Sequence, residues 1–181
     1  MRMHVRAKMI AIAGLLAAFS AVLLVLSSMI ESNSLIFIGL ASFCVGIMIR
    51  EWGMRAGMIF WIASVLVNLI VAPNKFYGLT YAGMGVYLLL SEMLWESLAK
   101  KPNMKNRTVM LWIGKYVFFN LMYIPVLLLV PQLIFTKKMT GKLWMVFLIA
   151  GQLILWAYDW AYRRFQGHIW TRLRVKMMNI K

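Results

Sequence analysis

Charged residues are missing from long stretches of this chain. Met9 to Ile30, Ser32 to Ile49, Ala56 to Asn74 and Tyr116 to Thr136 contain none, and Phe76 to Ser91 and Leu143 to Tyr158 behave similarly. A helix needs roughly 20 apolar residues to cross a hydrocarbon core of about 30 Å. The pattern predicts six spans, near Ala7–Ile30, Ser34–Ile49, Gly53–Ala72, Phe76–Ser97, Thr108–Val130 and Leu143–Tyr162. Spans two and three are joined only by Arg50-Glu51-Trp52-Gly53 and form an antiparallel hairpin. Span three ends at Ala72-Pro73-Asn74-Lys75, where proline stops the helix. Lys100-Lys101-Pro102-Asn103 reads as a loop. Pro125 inside span five predicts a kink near Leu121 to Tyr123.

The basic residues then set the orientation. In a six-span arrangement, the segments on the amino-terminal side hold fifteen Lys and Arg, and the opposite side holds Lys75, Lys137, Lys138 and Lys142. Lys115 falls inside the fifth span. This bias places both termini in the cytoplasm and the protein in the cell membrane. The fold class expected is all-α: a compact bundle of six transmembrane helices over residues 1–162, followed by a basic cytoplasmic amphipathic tail, residues 163–181. Trp52, Trp95, Trp112, Trp144 and Trp160 fall near span ends, where amphipathic rings favour the interface.

Composition agrees: 63% of the residues are hydrophobic and 14% charged, too little polar material to coat a soluble globule. A net charge of +15 would suggest nucleic acid in a soluble chain. Here topology and anionic lipid account for it, with no nucleic-acid partner expected. The tail alternates basic residues with Phe165, Ile169, Trp170, Leu173 and Val175, the composition of a helix lying on an anionic lipid surface. Cys44 is the one cysteine, so neither a disulfide framework nor a thiolate metal site is expected.

Two groups of residues are candidates for function. Ala13, Ala17 and Ala21 recur every four residues, as do Gly14 and Ala18, making one face of span one nearly smooth. Small faces let helices approach closely in lipid. The stripe either packs against another span of the chain or docks a separate membrane subunit. The second group is polar. Asn68, Lys115, Asn120 and Gln152 lie deep, with Glu92 and Asp159 nearer the cytoplasmic ends. Lys115 either snorkels to the interface or pairs with Glu92 or Asp159, and Asn120 either bonds another helix or lines a ligand cavity. On the outer side, Glu31, Asn74, Lys75, Tyr77, Tyr81 and Tyr123 are the expected rim of a pocket for a small organic ligand. Nothing resembles a nucleophile elbow, a metal-binding His pair or a phosphate loop, so no enzyme, cofactor or metal is expected.

These features together resemble the S-components, the substrate-capturing subunits of energy-coupling-factor (ECF) transporters, and related uncharacterised membrane proteins of Gram-positive bacteria. The residues that carry the resemblance are Ala13-Ala17-Ala21 with Gly14-Ala18, then Leu35-to-Glu51, Gly53-x-x-x-Gly57, Ala72-Pro73-Asn74-Lys75, Gly85-Val86-Tyr87 and Lys115-x-x-Phe118-Phe119-Asn120. The likeness departs at Leu88, at Ser91 and in the long basic tail. It implies a six-span subunit, N-in and C-in, that binds a vitamin or other micronutrient and docks through span one on a transmembrane coupling subunit. Separate ATPase subunits would then supply the energy. The alternative is a membrane scaffold or accessory subunit that binds protein or lipid and moves no solute.

Overall fold

The computed structural model describes residues 2–100, 106–129 and 141–172, with backbone alone at 2–6, 31, 129, 141, 143 and 169. The described residues are helical apart from short connections. They form α1 (Arg2–Met29), α2 (Ser34–Trp52), α3 (Met54–Val71), α4 (Lys75–Ala99), α5 (Arg107–Leu129) and α6 (Gly141–Arg164). The predicted spans coincide with these six helices to within a few residues, except that α1 begins earlier and takes in the basic start of the chain. Five of the six are long and apolar enough to cross a membrane, which makes this a membrane protein; α4 is long enough but less apolar. Lys101 to Asn103 of the expected loop, Lys137, Lys138 and the tail beyond Arg172 lie outside the described residues.

The chain divides into two compact units, Met1–Arg107 and Thr108–Lys181. Helical backbone runs through Arg164 into a π-helical turn, Phe165–Trp170.

In the first unit α2 is the central helix, packed against α1, α3 and α4. Ala41 to Ile49 are buried without interruption. A helix that is apolar on all sides belongs where every side has a neighbour, and Gly39, Ala41, Ser42, Cys44 and Gly46 keep α2 thin enough for three. α3 behaves in the opposite way. Ile59, Ile62, Leu66 and Ile70 form an exposed apolar stripe, while Gly57, Phe60, Ser64 and Asn68 are buried. Polar side inward and apolar side outward is the arrangement lipid requires.

Two glycines fix the α2–α3 hairpin. Gly53 is the whole connection, and its φ of 85° with ψ of 173° is a conformation that side chains disfavour. At Gly57 an added Cβ would sit 2.2 Å from Ile49 Cγ1, so the two helices cross where neither has room to spare. α4 then returns antiparallel beside α3. Gly78 faces Leu69, Tyr81 bonds Ser64 and Gly85 faces Trp61, a steady register along both helices.

Candidate functional site

The α1–α2 and α3–α4 turns are built from local capping. Glu31–Asn33 form a single 3-10 turn between α1 and α2, closed by Asn33 N–H donating to the Ile30 carbonyl at 3.1 Å. Asn74 caps α4 by accepting from the Phe76 amide at 3.0 Å. Lys75 folds back and donates to the carbonyls of Leu69 (2.7 Å), Ile70 (3.3 Å) and Ala72 (3.3 Å). Its ammonium therefore serves the last turn of α3, where unpaired carbonyls and the helix dipole both favour a cation. Asn74 and Lys75, expected on the rim of a ligand pocket, are both occupied in the turn. Tyr77 is half-buried two residues further on, and the Glu31 side chain lies outside what is described.

Tyr81 does not lie on a rim. It is completely buried, and its hydroxyl donates to Ser64 Oγ at 2.7 Å. Ser64 in turn donates to the Trp61 carbonyl. One turn along α3, Asn68 Nδ2 donates to Ser20 Oγ on α1 at 3.3 Å, and Ser20 Oγ donates in turn to the Ala17 carbonyl at 2.8 Å. The four side chains from α1, α3 and α4 form a sealed polar cluster, each at most 1% exposed. Asn68 Oδ1 has no hydrogen-bond partner among the described residues. Asn68 was legible as a deep polar group. Ser20 and Ser64 were not singled out, although Ser64 lies four residues from Asn68, on the same helix face.

At the other end of this unit Arg50 donates twice to Glu92, from Nε at 3.2 Å and Nη2 at 2.9 Å. This ties the end of α2 to α4 with Glu92 nearly buried. The small-residue stripe of α1 is divided. Ala13, Ala17 and Ala21 are half-buried, whereas Gly14 and Ala18 are exposed, and a Cβ added at Gly14 would meet no atom within 4 Å.

The second unit is held by a ladder of polar contacts between α5 and α6. Asn120 and Gln152 exchange amide hydrogen bonds, 2.8 Å from Gln152 Nε2 to Asn120 Oδ1 and 3.3 Å in return. Asn120 Nδ2 also reaches the Tyr116 carbonyl. One turn further along α5, Tyr123 donates to the Phe147 carbonyl at 2.9 Å, and its ring covers Gly151, where a Cβ would come within 2.6 Å. α5 continues as helix through Pro125 to Leu129.

Toward the opposite end Lys115 donates to Asp159 Oδ1, and Arg163 Nε lies 3.0 Å from Asp159 Oδ2. Both cations also lie over the Trp112 ring, at 5.7 and 5.2 Å. Of the two readings of Lys115, the pair with Asp159 is the one observed. Asn120 takes its interhelical reading, with Gln152 as partner. The candidate ligand residues thus divide between two units: Glu31, Asn74, Lys75, Tyr77 and Tyr81 in the first, Asn120 and Tyr123 in the second.

Chemically, the sealed cluster offers hydroxyls and an amide, and the ladder offers two amides and one ion triad. No group of three or more metal-ligating side chains occurs among the described residues. Comparison with protein-family models, with curated proteins and with solved structures finds no match to this chain.

Proposed function

We propose that the chain is the membrane-embedded, solute-binding subunit of an ECF-like uptake system. In this reading α1 docks a transmembrane coupling subunit, ATP is hydrolysed on separate subunits, and both termini face the cytoplasm. The observation that carries it is the uncovered part of the small-residue stripe. Gly14 and Ala18 stand exposed on α1 beside Leu15, Phe19 and Val22, while Ile12, Leu16, Ser20 and Leu24 are buried on the side that the other helices of the unit pack. Small residues facing lipid gain little there, but against another helix they permit close backbone approach. The solute would be small and partly polar, held near the outer turns Glu31–Asn33 and Pro73–Asn74.

The test is affinity purification of the full chain from its native membrane, beside Ala18→Leu. The native chain is expected to bring down a coupling subunit with ATPases, and Ala18→Leu to lose them while keeping a monodisperse elution profile. Absence of any ATPase from the native preparation overturns the proposal.

A second reading, a scaffold that moves no solute, is favoured by how fully the membrane polar groups satisfy one another. Asn120 with Gln152, Tyr123 with Phe147 and Lys115 with Asp159 leave few groups to meet a ligand. Native mass spectrometry separates the two, since a scaffold retains protein or lipid and no small solute.

A further inference from the structure

The charge balance of the second unit does not close within itself. Residues 108–181 contain ten Lys and Arg and a single acid, Asp159. That carboxylate is 1% exposed and already lies between Lys115 and Arg163. Arg163 nevertheless remains 52% exposed, and Arg164 beside it is exposed with its guanidinium 5.7 Å above the Trp160 ring. Arg163 lies over Trp112 in the same manner, at 5.2 Å. An indole engages the face of a guanidinium and leaves the N–H groups at its edge available to an oxyanion, apart from the Nε of Arg163, which already faces Asp159. Toward the middle of α6, Leu153, Ile154, Trp156 and Trp160 are exposed apolar or aromatic surface.

From this juxtaposition we infer that Arg163, Arg164, Trp112 and Trp160 form a binding site for the phosphate of an anionic phospholipid headgroup. The arginines, fixed over indoles, take the phosphate, and the apolar stripe of α6 runs on beneath it where acyl chains lie. That stripe favours a headgroup over free phosphate, because a dissolved anion gains nothing from it. The site does not rest on solute transport; it stands whichever reading of the protein holds.

The full chain, purified in detergent, is exchanged into mixed micelles with equal amounts of phosphatidylglycerol and phosphatidylcholine. Native mass spectrometry then counts the lipids retained. Phosphatidylglycerol is expected to be retained in preference. Arg164→Gln, which removes no ion pair among the described residues, should lower its occupancy constant roughly five-fold, and Arg163→Gln with Arg164→Gln roughly 25-fold. Lys142→Gln removes the same charge at the far end of α6 and should leave retention unchanged. Equal retention of the two lipids overturns the proposal, as does an unchanged Arg164→Gln or an equal loss in Lys142→Gln. Displacement of the lipid by inorganic phosphate, at ionic strength matched with chloride, assigns the site to a free anion and overturns it as well.

Discussion

Removing Asp159 should damage the protein more than removing its partner Lys115, and removing both should damage it least. The ordering follows from what each variant leaves behind. Asp159→Leu strands Lys115, 13% exposed, beside Arg163, 52% exposed. Breaking a buried pair by deleting one side typically costs about 3–5 kcal/mol. Half-exposed Arg163 stays solvated and adds little to this loss. Lys115 has a long stem with which to reach the interface, so the lower end, about 3 kcal/mol, is expected. Lys115→Met leaves Asp159 still paired with Arg163 Nε at 3.0 Å, so the loss should be roughly half as large. Lys115→Met with Asp159→Leu leaves no stranded charge, and a dry pair exchanged for apolar groups of similar volume is often neutral or better. The double variant should lie within about 1 kcal/mol of the native chain, giving a coupling of about 4 kcal/mol. The assay is reversible unfolding in mixed micelles, followed by helical circular dichroism as the denaturing detergent fraction rises. Additive single losses would refute the reasoning, and so would a Lys115→Met loss equal to that of Asp159→Leu.

Gly53→Ala should lower stability by about 1–3 kcal/mol in the same titration, because the whole α2–α3 connection rests on one residue at φ 85°. Gly14→Ala, in open space inside α1, should be neutral or slightly stabilising by helix propensity. Asn120→Leu should cost about 1 kcal/mol by leaving the Gln152 amide unpaired, and adding Gln152→Leu should recover most of it. A double variant that is stable yet has lost a bound solute would instead place the ligand on this pair.

The helix boundaries were legible because a membrane imposes a coarse rule, about 20 residues without charge, that a single sequence displays openly. The lateral arrangement was not. α2 reads as the least distinctive span, uniformly apolar, and that uniformity is what suits it to the centre of the first unit. Partners were harder still. The polar residues Asn68, Lys115, Asn120 and Gln152 were visible as costly groups, but whether Asn120 meets Gln152 or a solute depends on helix register, which periodicity alone does not give. Lys75 shows the same limit at the surface. A cation in a loop suggests an anionic ligand, and only the backbone geometry reveals that it already serves three carbonyls.

α4 is the helix on which hydropathy and packing pull apart. Its tyrosines, glycines, Ser91 and Glu92 make it too polar to qualify as a span by composition, yet it is 25 residues long, about 37 Å at helical rise. Its central polar groups are turned toward protein, while Lys75, Glu96 and Ser97 near its ends are exposed. Tyr81, Tyr87, Ser91 and Glu92 are all buried, with Tyr81 bonded to α3 and Glu92 to Arg50 of α2. A transfer scale charges each such group the cost of entering lipid, a cost that a group paired with a neighbouring helix does not incur. Gly78 lies beside Leu69 near the end of α3, Gly85 beside Trp61, and Glu92 beside Arg50 just before α3 begins. α4 therefore accompanies α3 from end to end and crosses whatever α3 crosses. Its low apolarity measures how much of its surface other helices cover.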